Sequence, residues 1–122
     1  MIIVAELEIH DGGHVPFNAG LLEVVWKAFP HEQVCFFGGP AHIGELKKQL
    51  GEFLTESIEW KEMRILPPTL SYFSRLLGEM KILLTLLRIV PERSTGLLLL
   101  TSARPATLVA LKLVKQDAIF NI

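Results

Sequence analysis

Two short runs of wholly apolar residues, Val34 to Phe37 and Leu97 to Leu100, constrain this chain more than any other feature of it. Such runs offer no polar face to water, so as strands they are covered on both sides, the signature of a parallel sheet. Parallel neighbours need a crossover of a dozen or more residues, usually a helix. The segments around the two runs supply those helices. Ile2 to Ile9 predicts a first strand, apolar at its start and alternating at Leu7 and Ile9. Leu21, Leu22, Val24, Val25, Ala28 and Phe29 then cover one side of a helix expected from Ala19 to Phe29, with Asn18 as its N-cap and Pro30 beyond its end. Gly38-Gly39-Pro40 turns the chain, and a second helix is expected from Ala41 to Phe53, with Ile43, Leu46, Leu50 and Phe53 inward. Ile58 to Leu66 alternates like a half-covered strand near a sheet edge.

Pro67-Pro68 breaks that strand, and Thr69 or Ser71 can cap a long helix through Val90. A fourth strand over Gly96 to Thr101, a short helix over Ala106 to Lys115 and a fifth strand over Asp117 to Ile122 complete the chain. The resulting order, β-α-β-α-β-α-β-α-β, predicts an α/β fold. Its form is a doubly wound, Rossmann-like parallel sheet in a three-layer αβα sandwich, with strand order 3-2-1-4-5 and right-handed crossovers. At 122 residues the chain makes a single domain.

Charge narrows the partners. Twelve Lys and Arg stand against 13 Asp and Glu, so no basic excess points to nucleic acid. The single cysteine, Cys35, excludes an internal disulfide and any multi-cysteine metal site, and its apolar surroundings predict a buried, inert thiol. Arg75, Glu79, Lys81 and Arg88 interrupt the long apolar region Leu70 to Val90, so it does not read as a membrane span. Glu6 and Glu8 inside the first apolar stretch argue against a secretory leader, and a cytoplasmic location is expected. Half of the residues are hydrophobic. That proportion, with an end inside an apolar strand, leads us to expect the first part of a longer protein and self-association through apolar surface.

The chemistry-bearing stretch is His10-Asp11-Gly12-Gly13-His14, between the first strand and the first helix. In open α/β sheets this turn lies at the carboxyl ends of the strands, where ligands bind. Two glycines before a helix start permit close backbone approach, and the free amides there favour an anion. An ordinary turn needing glycine torsion angles is the competing explanation. His14 is the candidate general base. His10, Asp11, Gly12, Gly13 and Asn18 are candidate substrate contacts. No Cys or carboxylate triad joins the two histidines, so no metal is expected, and the absence of G-x-G-x-x-G argues against a nicotinamide cofactor. His31 and His42 are expected on the surface. Thr101, Ser102 and Arg104, after the leucine strand, would face the same crevice in a 3-2-1-4-5 sheet. Capping by Ser102 with a solvated Arg104 explains them equally well.

Gly12-Gly13-His14-Val15, placed after the first strand and before the first helix, resembles the glycine-rich first loop of GT-B glycosyltransferases. It looks most like the GGH loop of enzymes that transfer N-acetylglucosamine from a nucleotide sugar. The order of elements and the Gly-Gly-Pro turn are also similar to the amino-terminal half of that superfamily. Asp11 and Asn18-Ala19-Gly20 depart from the family loop, which carries additional glycines. The resemblance implies an amino-terminal domain that holds the acceptor, a carboxyl-terminal domain, absent from this chain, that holds the nucleotide-sugar donor, no resident cofactor, and no catalysis by this part alone. Two other classes compete. Glu8-x-His10-x-x-Gly13 is one residue from the D-x-H-x-x-G loop of cobalamin-binding domains, in which the histidine would coordinate cobalt. A flavodoxin-like binding or interaction domain would want an acidic cluster at the strand ends, whereas Glu6 and Glu8 are expected within the strand.

Overall fold

The structure, a computed structural model, describes residues 1–7, 12–64, 71–89, 97–100 and 118–121. Its strands are β1 (Ile2–Ala5), β2 (Val34–Gly38), β3 (Ile58–Glu62), β4 (Leu97–Leu100) and β5 (Ala118–Asn121). Its described helices are α1 (His14–Ala28), α2 (Pro40–Gln49), α3 (Glu52–Ser57) and α4 (Tyr72–Ile89). The class is α/β and the pairing is parallel throughout, with Ile2 opposite both Val34 and Leu97. The strands lie in the order β3-β2-β1-β4-β5. The helix expected from Ala106 to Lys115 lies outside the described residues.

Alternation along β1 and β2 divides the core between two faces. Ile2, Val4, Val34 and Phe36 join one cluster with Val15, Ala19, Leu22 and Val25 of α1 and Ile43 and Leu46 of α2. The alternate residues Ile3, Ala5, Cys35 and Phe37 are buried as well. Neither strand has a wet side, which is why their sequences show no polar interruption. In α1 the inward residues fall at 15, 18, 19, 22 and 25, the spacing of one helical face.

Four boundaries differ from expectation. Strand β1, expected to run to Ile9, ends at Ala5, with Glu6 and Leu7 outside it. Helix α1 starts at His14, five residues early, with Gly13 as its N-cap. Asn18 is therefore inside the helix and buried, not capping it. The helix expected over 41–53 is two helices. Leu50 and Gly51 are extended, and Leu50 is buried in the core cluster. Dropping that leucine inward turns the chain towards β3, and Phe53 is left largely exposed, its ring edge-on to Trp26 at 5.6 Å. Strand β3 stops at Glu62 rather than Leu66, and residues 65–70 lie outside the described residues. As expected, β3 is an edge strand, with Lys61 and Glu62 exposed. Helix α4 matches the long helix expected before Pro91, and Ser71 Oγ accepts the Ser74 amide at its start. No described helix is long and apolar enough to cross a membrane.

Candidate functional site

Every second residue of β1 points towards α1: Ile2, Val4 and then, one step beyond the strand, Glu6. The Glu6 amide donates to the Phe37 carbonyl at 2.9 Å, so the sheet pairing continues through it. Its side chain is carried beneath the first turns of α1 and is completely buried. His14 and Asn18, four residues apart on α1, share the helix face above it. His14 Nδ1 lies 3.1 Å from Glu6 Oε2, and Asn18 Nδ2 donates to the same oxygen at 3.1 Å. Asn18 Nδ2 also lies 2.9 Å from Nε2 of His42, in the first turn of α2. The His42 ring stacks on Phe36 of β2, with centroids 6.0 Å apart and planes 18° from parallel. The carboxyl ends of β1 and β2 and the starts of α1 and α2 thus meet around one polar chain, His14–Glu6–Asn18–His42.

The chemistry of each group follows from its neighbours. A buried carboxylate is tolerable only when donors surround it, and the Asn18 amide and the His14 imidazole are two of them. This network assigns the His14 proton to Nδ1, facing the carboxylate. It assigns His42 Nε2 as the acceptor of the second Asn18 N–H. Asn18 Oδ1 is buried with no hydrogen-bond partner among the described residues. His14 itself keeps 41% of its side-chain surface open to solvent. A partly exposed ring held at Nδ1 by a carboxylate is an arrangement that orients a general base.

The turn that delivers His14 is built for a tight reversal. Gly12 has φ +82°, a conformation that glycine adopts without strain, and its carbonyl accepts the Val15 amide at 3.2 Å. Neither Gly13 nor Gly39, the N-caps of α1 and α2, places a side chain over its helix start, and neither first turn contains an acidic residue. Both helix starts therefore leave their positive ends uncompensated by side chains of the helix itself. Gly38 has its own reason: a Cβ there would lie 2.8 Å from Phe36 Cε1, in the floor of the site.

Of the residues singled out in the sequence, the structure brings together His14, Asn18 and the Gly12-Gly13 turn. His10, Asp11, Thr101, Ser102 and Arg104 lie outside the described residues, as does Glu8 of the cobalamin-like spacing. Two participants depart from the expectation of the sequence. Glu6 lies just past β1 and not within it, and His42 is half-buried against Asn18 rather than on the surface. Counting by twos from Ile2 finds Glu6, and pairing it with the 14/18 spacing would have found the cluster. His42 carried no such signal, since its partner is 24 residues away. His31 is exposed, as expected.

Two further features bear on chemistry. Cys35 faces away from α1, and burial, then the nearby Glu59 carboxylate, push its thiol up to about 11, against an opposing pull from Lys61. It is no nucleophile at neutral pH. A separate groove of about 350 Å³ runs between the end of β3 and α4, lined by Glu62, Met63, Arg64, Lys81, Thr85 and Arg88 among others. Among the described residues that line it there is no histidine or cysteine. Among the described residues no three His, Cys, Asp or Glu side chains are grouped to hold a metal ion. In comparisons with known proteins, no family model and no curated protein matches the chain.

Proposed function

We propose that this chain is the acceptor-side, amino-terminal domain of a GT-B-type glycosyltransferase, with His14 as the general base. The observation that carries the reading is the contact of His14 Nδ1 with the buried Glu6 carboxylate at 3.1 Å. In the reaction, Nε2 of His14 takes the proton of an acceptor hydroxyl as that oxygen attacks the anomeric carbon of a nucleotide sugar. The bond from that carbon to the diphosphate oxygen breaks, and the nucleotide leaves with the electron pair. Glu6 stabilises the imidazolium that forms, and Asn18 is a positioning residue that fixes the carboxylate. The amides at Gly12 and Gly13, at the positive end of α1, suit negative charge near the reacting centre. His10, Asp11, Thr101, Ser102 and Arg104 are proposed to line the acceptor side of the same crevice.

The scaffold of this proposal is a doubly wound, Rossmann-like three-layer sandwich spanning residues 1–122. Burial of β1 and β2 on both faces supports it. The donor site belongs to a carboxyl-terminal domain joined to this one, so this part by itself is proposed to be inactive. The enzyme is proposed to be cytoplasmic, with a small-molecule donor and acceptor and no nucleic-acid partner. The near-balance of charge suits that assignment.

The test is His14→Ala in the protein with its donor domain, with turnover and thermal midpoint measured on the same samples. Loss of a positioned base lowers turnover about a hundred- to ten-thousand-fold. His14→Ala also takes one donor from the buried Glu6 carboxylate, so the midpoint should fall, and turnover is therefore compared per folded molecule. Unchanged turnover, or a fall that only follows the folded fraction, would overturn the proposal.

A further inference from the structure

Helix α4 turns Gly78 and Ile82 inward, both buried, while a row of large apolar side chains remains outside. Phe73, Leu77, Met80 and Leu84 are 68%, 45%, 53% and 54% exposed. Their steps of four, three and four residues are those of a coiled-coil seam, and Ile82 lies on the opposite side of the helix. Tyr72 and Leu76, also exposed, widen the row at one flank. A soluble monomer rarely leaves so long a contiguous apolar stripe uncovered.

We propose that α4 is a dimer interface, and that the occupant of its stripe is α4 of a second copy of this chain, packed antiparallel. The spacing itself argues for a second copy. A four-three-four row reads the same from either end, so reversing the helix lays Phe73 on Leu84 and Leu77 on Met80. That self-complementarity is what a two-fold, isologous interface requires. The flanks argue for the antiparallel sense. Side by side in that sense, Leu76 of one copy meets Leu83 of the other, and Lys81 meets Ser74. A parallel pair would instead set the Lys81 ammonium against Leu76. Opposed helix dipoles favour the same sense. Six such side chains on each copy bring together on the order of 1,000 Å², the lower edge of a specific interface, so a dimer of micromolar strength is expected.

Sedimentation velocity over a range of protein concentrations tests this on the wild type and on Leu77→Glu/Met80→Glu. Both positions are exposed in the single chain, so the double variant should keep its far-ultraviolet circular dichroism. The wild type should be dimeric at tens of micromolar, and the double variant should dissociate with a Kd raised at least about 30-fold. A second pair, Leu77→Cys/Met80→Cys, should form a covalent dimer on mild oxidation; buried Cys35 does not compete. A wild type that is monomeric throughout, or a double variant that dimerises unchanged, overturns the proposal. Monomer with amide protection along α4 would instead place a segment of the same chain on the stripe.

Discussion

Cys35 is a residue whose neighbours set a measurable pH limit on the domain. Its thiol titrates near 11 in the folded chain against an ordinary value of 9.0. Below pH 9 the thiol is protonated whether the chain is folded or not, and its burial carries no ionic penalty. As pH rises from 9 towards 11 the unfolded thiol ionises while the folded one does not, so stability falls, by about 3 kcal/mol in all. Urea unfolding of wild type and Cys35→Ala at pH 8 and pH 10.5 isolates this group. The wild type should lose more stability than the variant between the two, and equal losses would mean the thiol is not held protonated. The inertness of Cys35 was legible from its apolar neighbours alone. Glu6 was harder to read, because an acidic residue in an apolar run looks like a solvent-facing strand position. Its burial follows from the two-residue period that carries it beneath α1, and from two donors brought by that helix eight and twelve residues later.

At the scale of elements, the turn between β1 and α1 rests on one backbone conformation. Gly12 occupies positive φ with nothing within 4 Å of where a Cβ would stand, and Gly13 has equal room at φ −64°. Space is therefore not what separates them; torsion is. Gly12→Ala should cost about 1 kcal/mol or more, while Gly13→Ala, already in helical geometry, should be neutral or slightly stabilising. Urea midpoints of the two variants decide it, and equal effects would mean that the turn can rearrange. Apart from α3, which the sequence pattern merges into α2, the existence and type of the described elements followed from periodicity and from Gly and Pro punctuation. Their boundaries did not. Asn18 has the chemistry of an N-cap, yet Glu6 draws it inside the helix. Leu50 continues the apolar period of α2, yet satisfies that period by leaving the helix and entering the core. Both outcomes are decided by tertiary partners that a local pattern does not contain.

For the whole molecule, the alternation of apolar runs with amphipathic segments pointed to parallel pairing, because helical crossovers between strands covered on both faces are how such sheets are built. The excess of apolar residues foretold uncovered surface without saying where; the structure gathers its longest row along α4, with Phe17, Val24, Phe29 and Phe53 exposed elsewhere. If that helix joins two copies, folding and association are linked equilibria, and heat stability depends on concentration. At a total concentration about 100 times the dimer Kd only about 7% of chains stay monomeric, so association adds about 1.6 kcal/mol per chain to the folded state. For a chain of this size, that raises the thermal midpoint by about 5 °C or more. The midpoint of the wild type should therefore climb steadily as protein rises from about one to a hundred times Kd. Leu77→Glu/Met80→Glu should begin near the dilute wild-type value and stay there, since its substitutions sit on surface that is exposed in the single chain. Scanning calorimetry across the dilution series reads both slopes. A flat wild-type series would leave α4 without a second copy. Parallel slopes in the two proteins would place the contact on some other face of the domain.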